Sequence, residues 1–301
     1  MLSYDVVDVF TDRPFAGNPL AVVHGADGLD DEQLLAIARE FNLSETTFPG
    51  AVDEDVGGYV VRIFTPGGEI PFAGHPTLGT AWVLQQHGRL AGGTVVQHCG
   101  AGDIEVRLPG DPQGPVRLRA TPREQAGPLD TAAFAQAVGL SPGDLTGDAW
   151  VAGCGLNWVH LPVTGEALAR CRAGTVTEAA LAGRADLRDP VAGINVYAVD
   201  GDPDDAVAPH TLTVRSRVFC PDVGVTEDPA TGSAAVGLGI VLAATGTLPD
   251  GGDYTIRQGV EMGRPSMLYA RVEAAEGRAS ACEVGGGVVS AAAGTLAVPW
   301  V

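Results

Sequence analysis

The chain has 301 residues, of which 45% are hydrophobic, 37 are acidic and 18 are basic, so its formal net charge is −19. That charge repels phosphate backbones and anionic lipid, so neither nucleic acid nor a membrane is expected as a partner. All 18 basic residues are arginine, and the lack of lysine excludes a Schiff base and a Walker-type phosphate loop.

The remaining composition indicates a cytoplasmic protein that works without an organic cofactor or a metal. Five scattered cysteines without a C-x-x-C motif are typical of free thiols in a reducing compartment. The histidines lack metal-ligand spacing, and no Gly-x-Gly-x-x-Gly follows a strand. The N-terminus does not resemble a signal peptide, and the apolar run 234–244 is shorter than the roughly 20 residues that span a bilayer.

In the first half of the chain, short strands alternate with two helices. The spacing of apolar residues predicts helices at 30–41, begun by Asp30 or Asp31, and at 76–87, stopped near Gly88. Strands are predicted at 4–10, 15–23, 42–49, 58–65, 94–98, 104–108 and 116–120.

In the second half, a connector is predicted at 121–125, a loop at 201–209 and a buried helix at 233–245. Shorter helices are expected at 134–138 and 166–172. Strands are predicted at 158–163, 195–199, 212–219, 254–258, 266–272, 282–289 and 296–301.

Two stretches about half a chain apart resemble each other. Aligning His75 with Asp228 also matches Pro76 with Pro229, Gly79 with Gly232 and Thr80 with Ser233. Upstream, the segment Arg62–Pro66 is similar to Arg217–Pro221. An internal repeat at this period indicates two copies of one unit. We therefore predict an α+β protein with an N-terminal lobe at 1–120 and a C-terminal lobe at 121–289, the last strand at about 290–301 packing back onto the first lobe.

Each copy places a polar residue before a proline at the predicted start of a helix. This pattern predicts Asp228 and His75 as N-caps with proline in the first helical position. Helix starts carry unpaired N–H groups and a partial positive charge, so two of them could grip a carboxylate. Asp228 could also be a purely structural cap, and His75 could titrate near neutral pH.

Glu45 is the candidate proton-transfer group. It lies in a mostly uncharged stretch between a helix and a strand, where burial would raise its pKa toward neutrality. The alternative is an exposed loop glutamate. Ser233 could equally be a packing residue, and Asn18, in a Gly-Asn-Pro turn, is either a turn residue or a donor to substrate.

Taken together, these stretches resemble the PhzF (phenazine-biosynthesis-like) family. The matching segments are 15–19, 44–48, 62–66, 72–77, 227–233 and 258–259. The resemblance implies a diaminopimelate-epimerase-like fold, with two pseudo-symmetric domains that each wrap a curved sheet around a central helix, a site between them, a homodimer and cofactor-free catalysis.

The resemblance also implies roles for individual residues. Glu45 would shuttle a proton on the substrate, and His75, Asp228 and Ser233 would line the site. Backbone N–H groups near Gly74 and Gly232 would hold a carboxylate, with Asn18 and Ser44 also binding substrate. The related epimerases carry a cysteine at the start of each central helix, where this chain has His75 and Asp228.

The sequence thus predicts a cofactor-independent isomerase that shifts a proton within a small carboxylate-bearing metabolite, which could be cyclic. The predicted catalytic residues are Glu45, which moves the proton, and Asp228 and His75, which position the substrate and assist proton movement. Two alternatives stay open at this point: an amino-acid epimerase or racemase, and a catalytically silent protein that binds small carboxylates.

Overall fold

The computed structural model describes residues 1–53, 57–111, 113–173, 187, 191–199, 211–221 and 225–300. The loop predicted at 201–209 lies outside them. Within these described residues the helices are α1 Asp31–Phe41, α2 Gly74–Gln86, α3 Thr131–Ala137, α4 Gly165–Arg170 and α5 Gly232–Ala244, with a 3₁₀ turn at Pro142–Asp144. The strands are β1 Leu2–Val9, β2 Asn18–His24, β3 Thr46–Asp53, β4 Gly58–Thr65, β5 Gly68–Ile70, β6 Gly93–Cys99, β7 Gly102–Leu108, β8 Val116–Ala120, β9 Glu124–Leu129, β10 Ala149–Gly153, β11 Asn157–Pro162, β12 Val191–Val199, β13 Leu212–Cys220, β14 Val225–Asp228, β15 Gly252–Gln258, β16 Ser266–Ala275, β17 Arg278–Gly286 and β18 Val288–Leu296.

The chain forms two compact units. The first comprises Met1–Leu118 with Gly285–Val301, and the second comprises Arg119–Val284. In the first unit, β1 pairs antiparallel with β18 and β2, β2 pairs parallel with β3, and β3 pairs antiparallel with β4. Strand β4 then pairs antiparallel with β5 and parallel with β6, and β6 pairs antiparallel with β7.

Helix α2 is buried by the sheet of the first unit. Every residue from His75 to Leu84 is buried, and the helix contacts β1, β2, β3, β7 and β18. Small residues make this approach possible: a Cβ on Gly79 would lie only 2.6 Å from Leu20 Cδ2. Helix α1 is amphipathic instead, and begins with a capping box between Asp30 and Gln33.

The second unit repeats the same order of pairings. Strand β10 pairs antiparallel with β11, β11 parallel with β12, and β12 antiparallel with β13. Strand β13 pairs antiparallel with β14 and parallel with β15, and β15 pairs antiparallel with β16. Helix α5 has eleven buried residues out of 13 and packs on β10, β11 and β16. A Cβ on Gly237 would lie 2.8 Å from the Ala152 carbonyl oxygen, so α5 requires a residue without a side chain there.

The chain is therefore a mixed α and β protein, made mostly of sheet with few helices, as the class predicted from the sequence requires. Four strands were missed: β5, β9, β10 and β14. The predicted connector 121–125 contains the start of β9. These strands are short or contain Gly and Pro, so their alternation of apolar and polar residues is weak.

The last strand, predicted at 296–301, lies earlier in the chain than expected. Strand β18 spans Val288–Leu296, while residues 297–300 lie outside any strand. The small residues Ala291, Ala292, Ala293 and Gly294 carry little β propensity, which explains why the sequence favoured the segment after them. No helix within the described part of the chain is long and apolar enough to cross a membrane.

Candidate functional site

Glu45 and His75 meet inside the first unit. Glu45 lies in the short segment between α1, which ends at a left-handed Asn42 (φ 51°), and β3. His75 is the second residue of α2. Glu45 Oε2 is 3.5 Å from His75 Nε2, and the two side chains are 17% and 7% exposed. Glu45 is thus not an exposed loop residue, and its carboxylate faces an imidazole.

The environment of Glu45 favours its protonated form more than water does. Burial raises the pKa of the carboxyl group above its usual 4.5, and the neighbouring Ser44 hydroxyl lowers it in part. Removal from water penalises the charged carboxylate, whereas a donor stabilises it. A carboxyl group with a raised pKa beside a histidine is suited to take up a proton and return it.

Because Ser44 lowers the Glu45 pKa, the Ser44→Ala variant tests whether Glu45 must be deprotonated to react. Removing the hydroxyl should raise the pKa further. If Glu45 must be deprotonated to react, the acid limb of kcat/KM should move to higher pH, whatever the loss of substrate contact does to the height of the plateau. A pH profile of wild type and variant measures this; a limb that stays in place or moves to lower pH contradicts it.

The start of α2 differs from the prediction, because His75 is not its cap. The cap is Ala73, whose backbone is extended (φ −149°, ψ 144°) and which supplies no side-chain acceptor. The Thr77 N–H donates to the Ala73 carbonyl oxygen. Gly74 and His75 are the first two residues of the helix, so their N–H groups belong to the uncapped, positive end of its dipole.

Asn18 is buried at the start of β2, where it pairs with Val9 of β1. The turn before it depends on Gly17, whose φ is +66° and where a Cβ would lie 2.3 Å from the Val9 carbonyl oxygen. The backbone position of Asn18 is therefore set by a turn that tolerates only glycine at residue 17.

In the second unit, Asp228 is likewise not a helix cap. It ends β14, and the N-cap of α5 is Thr231. The Thr231 hydroxyl donates to Asp228 Oδ2 at 2.5 Å. Gln258 donates through Nε2 to the Asp228 carbonyl oxygen (2.7 Å) and to Thr231 Oγ1 (2.9 Å). The Asp-Pro pair thus enters a turn before the helix, and Asp228 is held by the cap residue.

Ser233 and Gly232 begin α5 as His75 and Gly74 begin α2. Gly232 is the first helical residue, and Ser233 Oγ accepts a hydrogen bond from Trp158 Nε1 at 3.1 Å. When α2 and α5 are aligned at their first residues, His75 therefore corresponds to Ser233. The sequence alignment of His75 with Asp228 was wrong by five residues. Both helices are 13 residues long, which supports the corrected match.

Sequence reasoning missed the partners that hold these residues. Trp158, Thr231 and the amide of Gln258 had no assigned role, although Gln258 lies in one of the segments that carry the family resemblance. A tryptophan that begins a buried strand and a glutamine that ends one are signals, since both must find hydrogen-bond partners when buried.

Comparison with known proteins identifies the family to which the chain belongs. The profile of the phenazine biosynthesis-like protein family matches residues 7–294. The chain is 36% identical to a trans-2,3-dihydro-3-hydroxyanthranilate isomerase of Pseudomonas chlororaphis, over 98% of this chain and 99% of the relative.

Solved structures agree with that match. A protein of Pseudomonas aeruginosa, described as a predicted epimerase, has a TM-score of 0.78 and 31% identity, with 98% of this chain and 99% of the other covered. A PhzF-family phenazine biosynthesis protein of Bacillus anthracis has a TM-score of 0.82 over 99% of both chains. At 22% identity, the latter supports the fold alone.

Proposed function

The chain belongs to the phenazine biosynthesis-like (PhzF) family and is an isomerase, and from this we propose that it shifts a proton within a small carboxylate-bearing substrate by general acid/base catalysis. The observation that carries the proposal is the partly buried Glu45 carboxylate, with its raised pKa, 3.5 Å from His75. The reaction we propose uses the protein's own side chains and no organic cofactor.

In this reaction, Glu45 as carboxylate removes a proton from a carbon that is alpha or vinylogous to an electron-withdrawing group. The electron pair of the broken C–H bond delocalises into the conjugated system, and the double bond moves. Glu45, now protonated, returns the proton to a different carbon of the same molecule. Atoms and electrons balance, because the product is an isomer. Such proton transfer contributes typically about 10²–10⁴-fold in rate.

His75 has two roles in this proposal. Its ring can assist the proton movement at Glu45, and its backbone N–H lies at the start of α2 with that of Gly74. Uncapped helix starts favour anions, so these N–H groups suit the substrate carboxylate. We propose that Asn18 and Ser44 of the same unit also contact the substrate.

The substrate named for the Pseudomonas chlororaphis relative is the first compound to test. Its name describes a cyclic amino acid with a hydroxyl group and a carboxylate, which fits an enzyme that holds a carboxylate and moves a proton. We propose that this chain acts on that compound or on a related cyclic carboxylate.

The experiment is an incubation with trans-2,3-dihydro-3-hydroxyanthranilate in deuterated water, followed by proton NMR and chiral chromatography. We expect the double bond to move, with deuterium entering the product at one carbon to the extent that the Glu45 carboxyl proton exchanges with solvent before it is returned. Inversion at an alpha carbon without a double-bond shift would favour the epimerase alternative, which the 31% identical protein described as a predicted epimerase supports. Binding without exchange of any carbon-bound proton would contradict the proposal for this substrate.

We propose that the two units are the domains predicted from the internal repeat, and that they are pseudo-symmetric copies of a curved sheet around α2 and α5. The matching order of strand pairings supports this. We also propose a homodimer; light scattering should give twice the 30.7 kDa chain mass, and a monomer across the working concentration range would contradict it.

A further inference from the structure

Three side chains of the first unit that can ligate metals converge at one point. Asp5 Oδ2 lies 2.8 Å from His24 Nε2 and 3.0 Å from His87 Nε2. The three potential ligand atoms all lie within 4.8 Å of one another. The two imidazole rings are 5.0 Å apart and tilted by 33°. We call Asp5, His24 and His87 the Asp–His–His cluster.

We propose that the Asp–His–His cluster binds a divalent first-row transition cation such as Zn²⁺. The ligands would be Asp5 Oδ2 and the Nε2 atoms of His24 and His87, with water in the remaining positions. Imidazole nitrogen and carboxylate oxygen together suit Zn²⁺, Ni²⁺ or Cu²⁺, and three protein ligands with an open position form a common zinc site.

The distances from Asp5 to the two histidines fit such a cation. Bonds from zinc to nitrogen or oxygen are about 2.0–2.1 Å, so two ligand atoms on one ion lie about 2.9–3.4 Å apart in octahedral or tetrahedral geometry. The separations from Asp5 Oδ2 to the two histidine nitrogens, 2.8 and 3.0 Å, are already close to that range. Binding would thus require only small side-chain movements.

Three separate elements fix the ligands in place. Asp5 is on β1 and pairs with Val22 of β2, so His24, two residues further along β2, points to the same face of the sheet. His87 is the C-cap of α2, the helix packed on both strands. The C-terminal end of a helix carries a partial negative charge, which favours a cation beside His87.

The cluster can also be reached from solvent. The His87 side chain is 46% exposed, whereas those of His24 and Asp5 are 12% and 17% exposed. On its other side, Asp5 pairs with Ala293 of β18, which is exposed and too small to cover the cluster. These features leave room for water ligands and for entry of the ion.

This site is separate from the proposed proton transfer. His75 and His87 lie at opposite ends of α2, twelve residues apart, which corresponds to about 18 Å along the helix axis. A cation at the cluster would tie β1, β2 and α2 together. A hydrogen-bonded group of one aspartate and two histidines without metal is the competing interpretation, and the experiment separates the two.

The test uses the full chain, treated with a chelator and then dialysed. Zn²⁺ affinity is measured by competition with a coloured chelator, and Co²⁺ is used as a second probe because its visible absorption reports nitrogen and oxygen ligands. The variants are His87→Gln and His24→Gln. His98→Gln is the matched control, since His98 is 40% exposed and bonded to Asp103 as His87 is to Asp5.

We expect one Zn²⁺ per chain in the wild type and in His98→Gln. In His87→Gln and His24→Gln the affinity for Zn²⁺ should be weaker by at least about 10-fold, because even residues that only support a metal ligand contribute about 10–100-fold to metal affinity. The Co²⁺ spectrum should vanish in the same two variants. Equal affinities in wild type and His87→Gln would overturn the proposal, as would equal loss in His98→Gln. His87 is exposed, so its replacement leaves the fold intact for the comparison.

Discussion

The Glu45→Gln variant should lose about 10²–10⁴-fold or more in turnover while keeping its fold and its affinity for carboxylate ligands. Glutamine has nearly the same shape, but its amide cannot accept and return the proton. The measurement is kcat with trans-2,3-dihydro-3-hydroxyanthranilate, together with deuterium incorporation into the product in deuterated water. Both should fall together, because both depend on the same proton transfer.

Glu40→Gln is the matched control for this variant. Glu40 lies on α1 in the same unit, is exposed, and loses the same charge on substitution. Its activity should equal that of the wild type. Retained turnover in Glu45→Gln would exclude Glu45 as the proton carrier, and equal losses in both variants would point to a general effect of charge.

The Glu45→Gln variant should not be less stable than the wild type at neutral pH. The pKa of Glu45 is higher in the folded protein than its usual 4.5, so the folded state binds more protons than the unfolded state. The free energy of unfolding therefore falls as pH rises above 4.5 toward the folded-state pKa, and the penalty persists at higher pH. Replacing Glu45 with a neutral group removes this penalty, which is consistent with a residue kept for chemistry.

Replacing Glu227 with glutamine should lower the free energy of unfolding by about 3 kcal/mol, the cost of breaking a buried ion pair. Arg217 donates to both Glu227 oxygens at 2.8 Å, and also to the carbonyl oxygens of Leu168 and Cys171. The side chains of Arg217 and Glu227 are 10% and 15% exposed. Urea unfolding followed by tryptophan fluorescence measures the change.

The first unit provides a matched control. Arg62 lies above the Phe64 ring at 5.1 Å, as Arg217 lies above Phe219 at 5.1 Å, and it binds both oxygens of Glu69. Arg62 and Glu69 are 35% and 43% exposed, so Glu69→Gln should cost less than about 1 kcal/mol. Equal costs for the two variants would show that burial does not set the strength of these pairs.

Much of the architecture could be predicted because its signals are local. The predicted strand at 58–65 coincides with β4, and the amphipathic spacing of α1 and the apolar runs of α2 and α5 located the helices to within about two residues. The repeat indicated two units, and the segments matching the PhzF family indicated an isomerase, which the family profile and the relatives support.

The positions of the helix starts were harder to predict. Asp-Pro and His-Pro look like cap signals, but α2 begins at Gly74 and α5 at Gly232. At the second start, Gln258 is a partner from a distant strand and holds Asp228 and Thr231 in a turn. Pairings between residues far apart in sequence leave no mark on local propensity. The Asp–His–His cluster was missed for the same reason, since its members come from two strands and a helix end.

The pairing of β18 with β1 has a consequence for how the protein is made. Residues 288–296 complete a sheet that begins at residue 2. At about 5–20 residues per second, a ribosome finishes β1 roughly 15–55 s before it delivers β18. Throughout that interval one edge of β1 lacks its native neighbour, and such an edge can recruit strands from other chains. All of Arg119–Val284 emerges before that edge is closed, so the unit that starts first in the sequence is completed last.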